Sequence, residues 1–239
     1  MKITIHQPNF LPYPGFFTKV YHADLLVIGD HVQYSNKSFI NRNKIKTQHG
    51  EKWLTVPIIH NLPQPINKVL INNNPINNRR WNYIHLETLR INYSKANYYH
   101  TYIDIFKDVY TRQWDYLVEL NIEFIKKILE ILDIKIDIKL TSQLNISGEK
   151  TDQIINICKE LNADTYISGI GGKNYLNEEE FKRNSIKLLY NKFDCPVYNQ
   201  QFNTLGFIPN LSIIDMLFNV GEKTLNLLIE NNKLISALD

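Results

Sequence analysis

Apolar and polar residues alternate over Lys2–His6 (KITIH), which predicts a strand. A loop carrying Pro8, Pro12 and Pro14 follows, and Gly15 opens GFFTKVYHAD, a short helix. Residues 25–29 (LLVIG) have the continuous apolar run of a buried strand, ending at Asp30. Strand, loop, helix and strand in that order make a βαβ unit and therefore a parallel sheet. Ligands on such sheets sit beyond the carboxyl ends of the strands, where His6 and Asp30 both fall.

Residues 33–46 are polar, and WLTVPII at 53–59 reads as another strand. The stretch 60–80 is turn-rich, with Pro63, Pro65, Pro75 and seven Asn, and suits an insertion or a hinge. From 81 to 132 the pattern is helical. Leu117, Leu120, Phe124, Ile128 and Ile131 recur at steps of three and four, and Tyr102, Ile105, Phe106 and Val109 mark a preceding helix. IKIDIKL at 134–140 alternates as a strand, and Thr151 is placed to cap a helix striped by Ile154, Ile155, Cys158 and Leu161. TYISG at 165–169 returns as a strand and leads into the loop GIGGKNYL. Asn177 caps a short helix that has Glu178, Glu179 and Glu180 in its first turn. The last 30 residues are helical with a break at Gly221. The expected fold class is α/β: a parallel or mixed sheet built from two βαβ parts, with a mainly helical insertion at about 60–132 and a helical C-terminus. Residues 1–239 are expected to form a single domain.

Composition narrows the function classes. Of 239 residues, 44% are hydrophobic and 21% charged, the profile of a soluble globular protein. No apolar stretch approaches the roughly 18 residues a membrane helix needs. The N-terminus MKITIHQP lacks a signal-peptide core, so a cytoplasmic location is expected. Cys158 and Cys195 are too few for a disulfide framework, and no Cys/His spacing suggests a metal. The excess of 33 Ile, 29 Asn and 21 Lys over 4 Ala and 6 Arg follows AT-rich codon usage. A net charge of +3 is too mild to imply nucleic acid. Where the scarce Arg and Gly sit is more informative.

Four clusters carry candidate chemistry. His6-Gln7-Pro8, ahead of Gly15, can hold a phosphate over a helix N-terminus, with the imidazole as donor or general acid–base; the alternative is a ring that only pins the loop. Asn41-Arg42-Asn43-Lys44-Ile45-Lys46, preceded by Lys37, concentrates donors suited to phosphate or carboxylate, or else is a solvated polar loop. Gly169-Ile170-Gly171-Gly172-Lys173-Asn174-Tyr175 follows a strand directly and gathers three of the nine glycines beside a Lys, as in an anion-cradling turn. Asp215 could be a general base, but Ser212 and Asp215 stand in a capping-box relation that favours a structural role. Neither cysteine has an activating base nearby in sequence.

The opening HQPNFLPYPGFFTKVYHADLLVIGDHVQYSNKSFINRNKI resembles the WbqC-like family, with its HQPxFLPWxGFFxK start and later NRNxI. WLTVP at 53–57, ISGIGGKNYL at 167–176, PVYNQQF at 196–202 and PNLSIIDMLFNVG at 209–221 extend the resemblance. One departure is Tyr13, where the family often has Trp. The resemblance implies motif positions at His6, Gln7, Gly15, Asn41, Arg42, Asn43, Lys46, Gly171, Lys173, Tyr175 and Asp215. It also implies a setting in bacterial surface-polysaccharide synthesis, O-antigen or capsule, and with it a nucleotide-linked sugar as ligand and pathway enzymes as possible partners.

The function expected is a transferase that adds an acyl or aminoacyl group to a nucleotide-linked amino sugar. In it His6 acts as acid or base, and Arg42, Lys46 and the 169–173 turn hold the diphosphate. No cofactor follows from the sequence. An alternative is an ATP-dependent nucleotidyl or adenylate-forming enzyme, because strand, His-containing proline loop, glycine and helix also look like the HIGH-motif enzymes. Here Phe16 follows Gly15, where those enzymes would have a second His. A non-catalytic sugar-nucleotide-binding module is the third possibility.

Overall fold

A computed structural model describes residues 1–59, 63–230 and 232–236. The chain opens with β1 (Lys2–His6), α1 (Pro14–Tyr21) and β2 (Leu25–Ile28). Pro14 sits at the first helical position of α1, where its missing N–H costs nothing. A hairpin of β3 (Arg42–Thr47) and β4 (Gly50–Thr55) follows, then a small pair, β5 (Ile58–Ile59) and β6 (Leu70–Ile71). Helices α2 (Trp81–Tyr93), α3 (Tyr99–Thr111) and α4 (Leu117–Ile131) fill the stretch expected to be helical. The second half runs β7 (Asp137–Leu140), α5 (Lys150–Glu160), β8 (Thr165–Gly169), α6 (Glu178–Arg183) and β9 (Lys187–Phe193). It ends with α7 (Ile213–Val220), α8 (Thr224–Glu230) and β10 (Asn232–Ser236).

The α/β class is as expected, with a mixed sheet of six strands in the order β10-β9-β8-β1-β2-β7. All neighbours pair in parallel except β10, which runs antiparallel to β9. The chain moves from β1 outward through β2 to β7, then returns to the other side of β1 with β8 and β9. That is a doubly wound sheet, and its order reverses between β1 and β8.

Strand alternation splits the core in two. On one face Leu26 and Ile28 pack with Phe16, Phe17, Phe106, Phe124 and Phe218, so α1, α7, α8 and the α2–α4 group lie there. On the other face Ile3, Leu25, Val27 and Tyr166 pack with Ile155, Cys158 and Phe181 of α5 and α6.

Several local expectations change. Thr151 lies inside α5, whose N-cap is Glu149, and the Thr151 hydroxyl accepts from the Asn177 backbone N–H at 3.1 Å. Ser212 does cap α7, but the capping box does not close: the Ser212 N–H goes to the Lys44 carbonyl, and Asp215 turns elsewhere. The helical C-terminal part is present and breaks at Gly221, whose φ of 65° suits glycine, but the chain then adds β10 to the sheet edge. Among the described residues, no helix is long and apolar enough to cross a membrane.

Candidate functional site

The crevice beyond the β1 and β8 ends holds two adjoining cavities, of about 410 and 500 Å³. Both are lined by His6, Lys19, Gly169 and Gly171. This is where a doubly wound sheet binds ligands, because the connections leave β1 and β8 in opposite directions and open a gap.

His6 is the last residue of β1 and packs edge-on against Phe16, with ring centroids 4.8 Å apart. Its Nδ1 lies 2.9 Å from the Gln7 carbonyl, which can only accept, so Nδ1 carries the proton and Nε2 offers a lone pair. Burial and the nearby Lys19 charge push its pKa down to about 3, against a partial lift from the Gln7 bond. The ring is therefore neutral at physiological pH.

Lys19 is only 5% exposed, one helical turn beyond Gly15. Its Nζ donates to the Ile5 carbonyl at 3.1 Å. Among the described residues no carboxylate pairs with it, and burial alone brings its pKa down to about 7. A desolvated ammonium without a counter-ion is strained towards losing its proton or taking an anion. Lys19 was absent from the sequence candidates, although a lysine on the apolar stripe of Phe16 and Val20 was a readable signal.

Gly15 lines the smaller cavity, and a Cβ there would come within 2.7 Å of the Phe193 ring. Gly169 and Gly171 have open space where a Cβ would stand, so their backbone is accessible from the crevice. Gly172 is different: a Cβ there would overlap Ser168 Oγ, which makes its role packing. Asn191 on β9, also missed from the sequence, lines the smaller cavity and donates to Thr18 Oγ1 at 3.0 Å.

A model of the WbqC-like protein family matches residues 7–227. The chain belongs to the WbqC-like family. It is 31% identical over 224 residues to the uncharacterized protein Rv1507c of Mycobacterium tuberculosis, covering 92% of this chain and 94% of that one. No solved structure gives a significant match.

The structure gathers only part of the WbqC-like motif set at the crevice. His6, Gln7, Gly15, Asn43, Gly169, Gly171, Gly172 and Tyr175 line one cavity or the other. Arg42 and Lys44 point to the opposite face of the hairpin, over the Trp53 ring at 4.2 and 5.2 Å, and Arg42 Nη2 donates to the Lys37 carbonyl. Strand alternation explains the split: Asn43 faces in and its neighbours face out. Asn41 is spent on Tyr34 and the Val56 carbonyl.

Lys46 is buried in a separate cluster, donating to Gln200 Oε1 and the Gly206 carbonyl. Asp215 belongs to the same cluster and accepts from Tyr93, Tyr198 and Gln200 at 2.7, 2.8 and 3.0 Å. Burial raises the Asp215 pKa against those bonds. Lys173 lies over the Tyr190 ring at 5.1 Å and lines neither cavity. Asp30, fully buried, accepts from Thr141 Oγ1 and from Ser142 N and Oγ, tying the end of β2 to the turn after β7. Burial holds the Cys158 thiol near 12, so it is inert as a nucleophile at neutral pH.

Proposed function

We propose that the crevice binds a nucleotide-linked amino sugar and that the protein transfers an acyl or aminoacyl group to it, in the synthesis of a bacterial surface-polysaccharide precursor. The observation that carries this reading is a neutral His6 in one crevice with the buried Lys19, which among the described residues has no carboxylate partner. The sugar amine attacks the donor carbonyl and forms the C–N bond as the bond to a thiol or phosphate leaving group breaks. His6 Nε2 takes the amine proton, and the Lys19 ammonium faces the oxyanion that develops. The exposed backbone at Gly169 and Gly171 supports the phosphates. Arg42 and Lys46 line neither cavity, so this reading gives the phosphates to the glycine backbone and Lys19.

The experiment is turnover of His6→Gln with nucleotide-linked amino sugars and a panel of acyl and aminoacyl donors, followed by mass spectrometry. Turnover should be abolished while nucleotide-sugar affinity stays within about tenfold. Unchanged turnover in the variant refutes the assignment.

The reversal of strand order beside β1 favours a second reading, an ATP-dependent nucleotidyl or adenylate-forming enzyme that uses the same crevice. Exchange between pyrophosphate and ATP over a panel of small acids separates the two, since only the second reading predicts it.

A further inference from the structure

The two cavities share His6 and Lys19, yet the rest of their linings differ in chemistry. The larger one opens on the α5 face. It adds Lys150 and His31 to the shared His6 and Lys19, and no Asp or Glu lines it. Lys150 is the first residue of α5, and the N-cap Glu149 makes no side-chain cap, so the first-turn N–H groups remain available. Lys19 and Lys150 give this chamber a positive field that no lining carboxylate offsets, with Asp152 of the same α5 turn outside the lining, and Lys19 is its buried end.

The smaller cavity opens on the α1 face. Apart from the shared pair, its lining is neutral: amides such as Asn9, Asn191 and Asn210, and the rings of Phe39 and Phe193. Asn191 is 3% exposed, and its Oδ1 has no hydrogen-bond partner. A buried acceptor in that state lacks an O–H or N–H donor, which a sugar hydroxyl or amine supplies and an anion does not. Ring faces pack well against the C–H surface of a pyranose.

We propose that the crevice is two subsites: the α5-side chamber holds the diphosphate of the substrate, and the α1-side chamber holds the uncharged sugar portion. The two portions then meet at His6 and Lys19, with the reacting amine on the α1 side. This division rests on the reading of the ligand as a nucleotide-linked sugar.

The test is isothermal titration calorimetry with inorganic pyrophosphate and with UDP-N-acetylglucosamine, on the intact chain and on Lys150→Glu and Phe39→Ala. Both substitutions are at exposed positions, and far-UV circular dichroism melts confirm that the variants fold. Lys150→Glu should weaken pyrophosphate by about tenfold or more, the worth of a charge-assisted contact, while Phe39→Ala leaves it within about twofold. UDP-N-acetylglucosamine should weaken in both. Pyrophosphate that fails to bind, or that responds to Phe39→Ala as strongly as to Lys150→Glu, overturns the division. Pyrophosphate that follows the expected pattern while no sugar nucleotide binds leaves the anion subsite standing and refutes the sugar-nucleotide reading. Displacement of pyrophosphate by ATP and not by the sugar nucleotide transfers the subsite to the ATP-dependent reading.

Discussion

Replacing Lys19 by Met keeps a long side chain on α1 and removes the ammonium. Burial brings the Lys19 pKa to about 7 from 10.5, so between those values the folded chain binds fewer protons than the unfolded one. Stability must therefore rise with pH across that window, and below about 7, where both states are protonated, the Lys19 contribution is flat at its full penalty. The full shift corresponds to about 5 kcal/mol, and the part between pH 7.5 and 9 to about 2 kcal/mol. That interval is well chosen because the depressed histidines, His6, His22 and His85, have already lost their protons there. Urea unfolding at three pH values within it, for the wild-type chain and Lys19→Met, gives the difference directly. The wild-type chain should gain about 2 kcal/mol more than the variant on going from pH 7.5 to 9. Groups common to both proteins cancel in that comparison. Parallel profiles would refute the argument, because they would mean that the ammonium is hydrated and that no buried positive charge awaits an anion.

Two further substitutions separate scaffold from site. Gly15→Ala places a Cβ within 2.7 Å of the Phe193 ring and against Tyr13, so it should cost about 1–3 kcal/mol in urea unfolding; an unchanged midpoint would show that the two rings can retreat. Asp215→Asn removes a carboxylate that accepts three hydrogen bonds and faces the buried Lys46, so it should cost about 3 kcal/mol. Because Asp215 lines neither cavity, pyrophosphate affinity should stay within about twofold, and a larger loss would return it to the site.

The first βαβ unit was legible because β1 alternates apolar and polar residues, β2 is a short apolar run ending at Gly29 and Asp30, and a proline-rich loop with Gly15 marks the helix start to within one residue. The C-terminal edge was not. Leu188 and Tyr190 of β9 face one core while Asn191 interrupts the apolar pattern of the other face, and β10 (NKLIS) follows α8 with no turn residue of its own apart from asparagine. That His6, Gly169 and Gly171 lie at the crevice was readable from strand ends, where topology alone places them. Which members of the Arg42 cluster line the cavity was not legible, because composition cannot show which way alternate strand residues point: Asn43 lines the cavity and Arg42 lies over Trp53. Lys46 and Asp215 looked chemical for a related reason, since their partners Gln200, Tyr198 and Tyr93 come from distant parts of the chain.

Much of the long N-terminal signature is explained by the loop that presents His6. Its prolines remove backbone donors at Pro8 and Pro12, which leaves the loop few N–H groups of its own: Asn9 donates to the Gln7 carbonyl and Phe10 to the Phe39 carbonyl. Its carbonyls are instead taken by side chains from three other places. Asn43 donates to Phe10 O and Leu11 O at 3.3 and 2.7 Å. Asn121 of α4 reaches Pro8 O and Ile40 O, both at 2.7 Å. Ser212 donates to Leu11 O at 2.8 Å. Leu11 stands at φ 41°, a conformation a leucine adopts at a cost of about 1–3 kcal/mol. Its fully buried side chain and the two donors on its carbonyl hold it there. Asn121 also defines what the α2–α4 helices contribute: α4 grips the loop after His6 from inside the core, so this group buttresses the crevice.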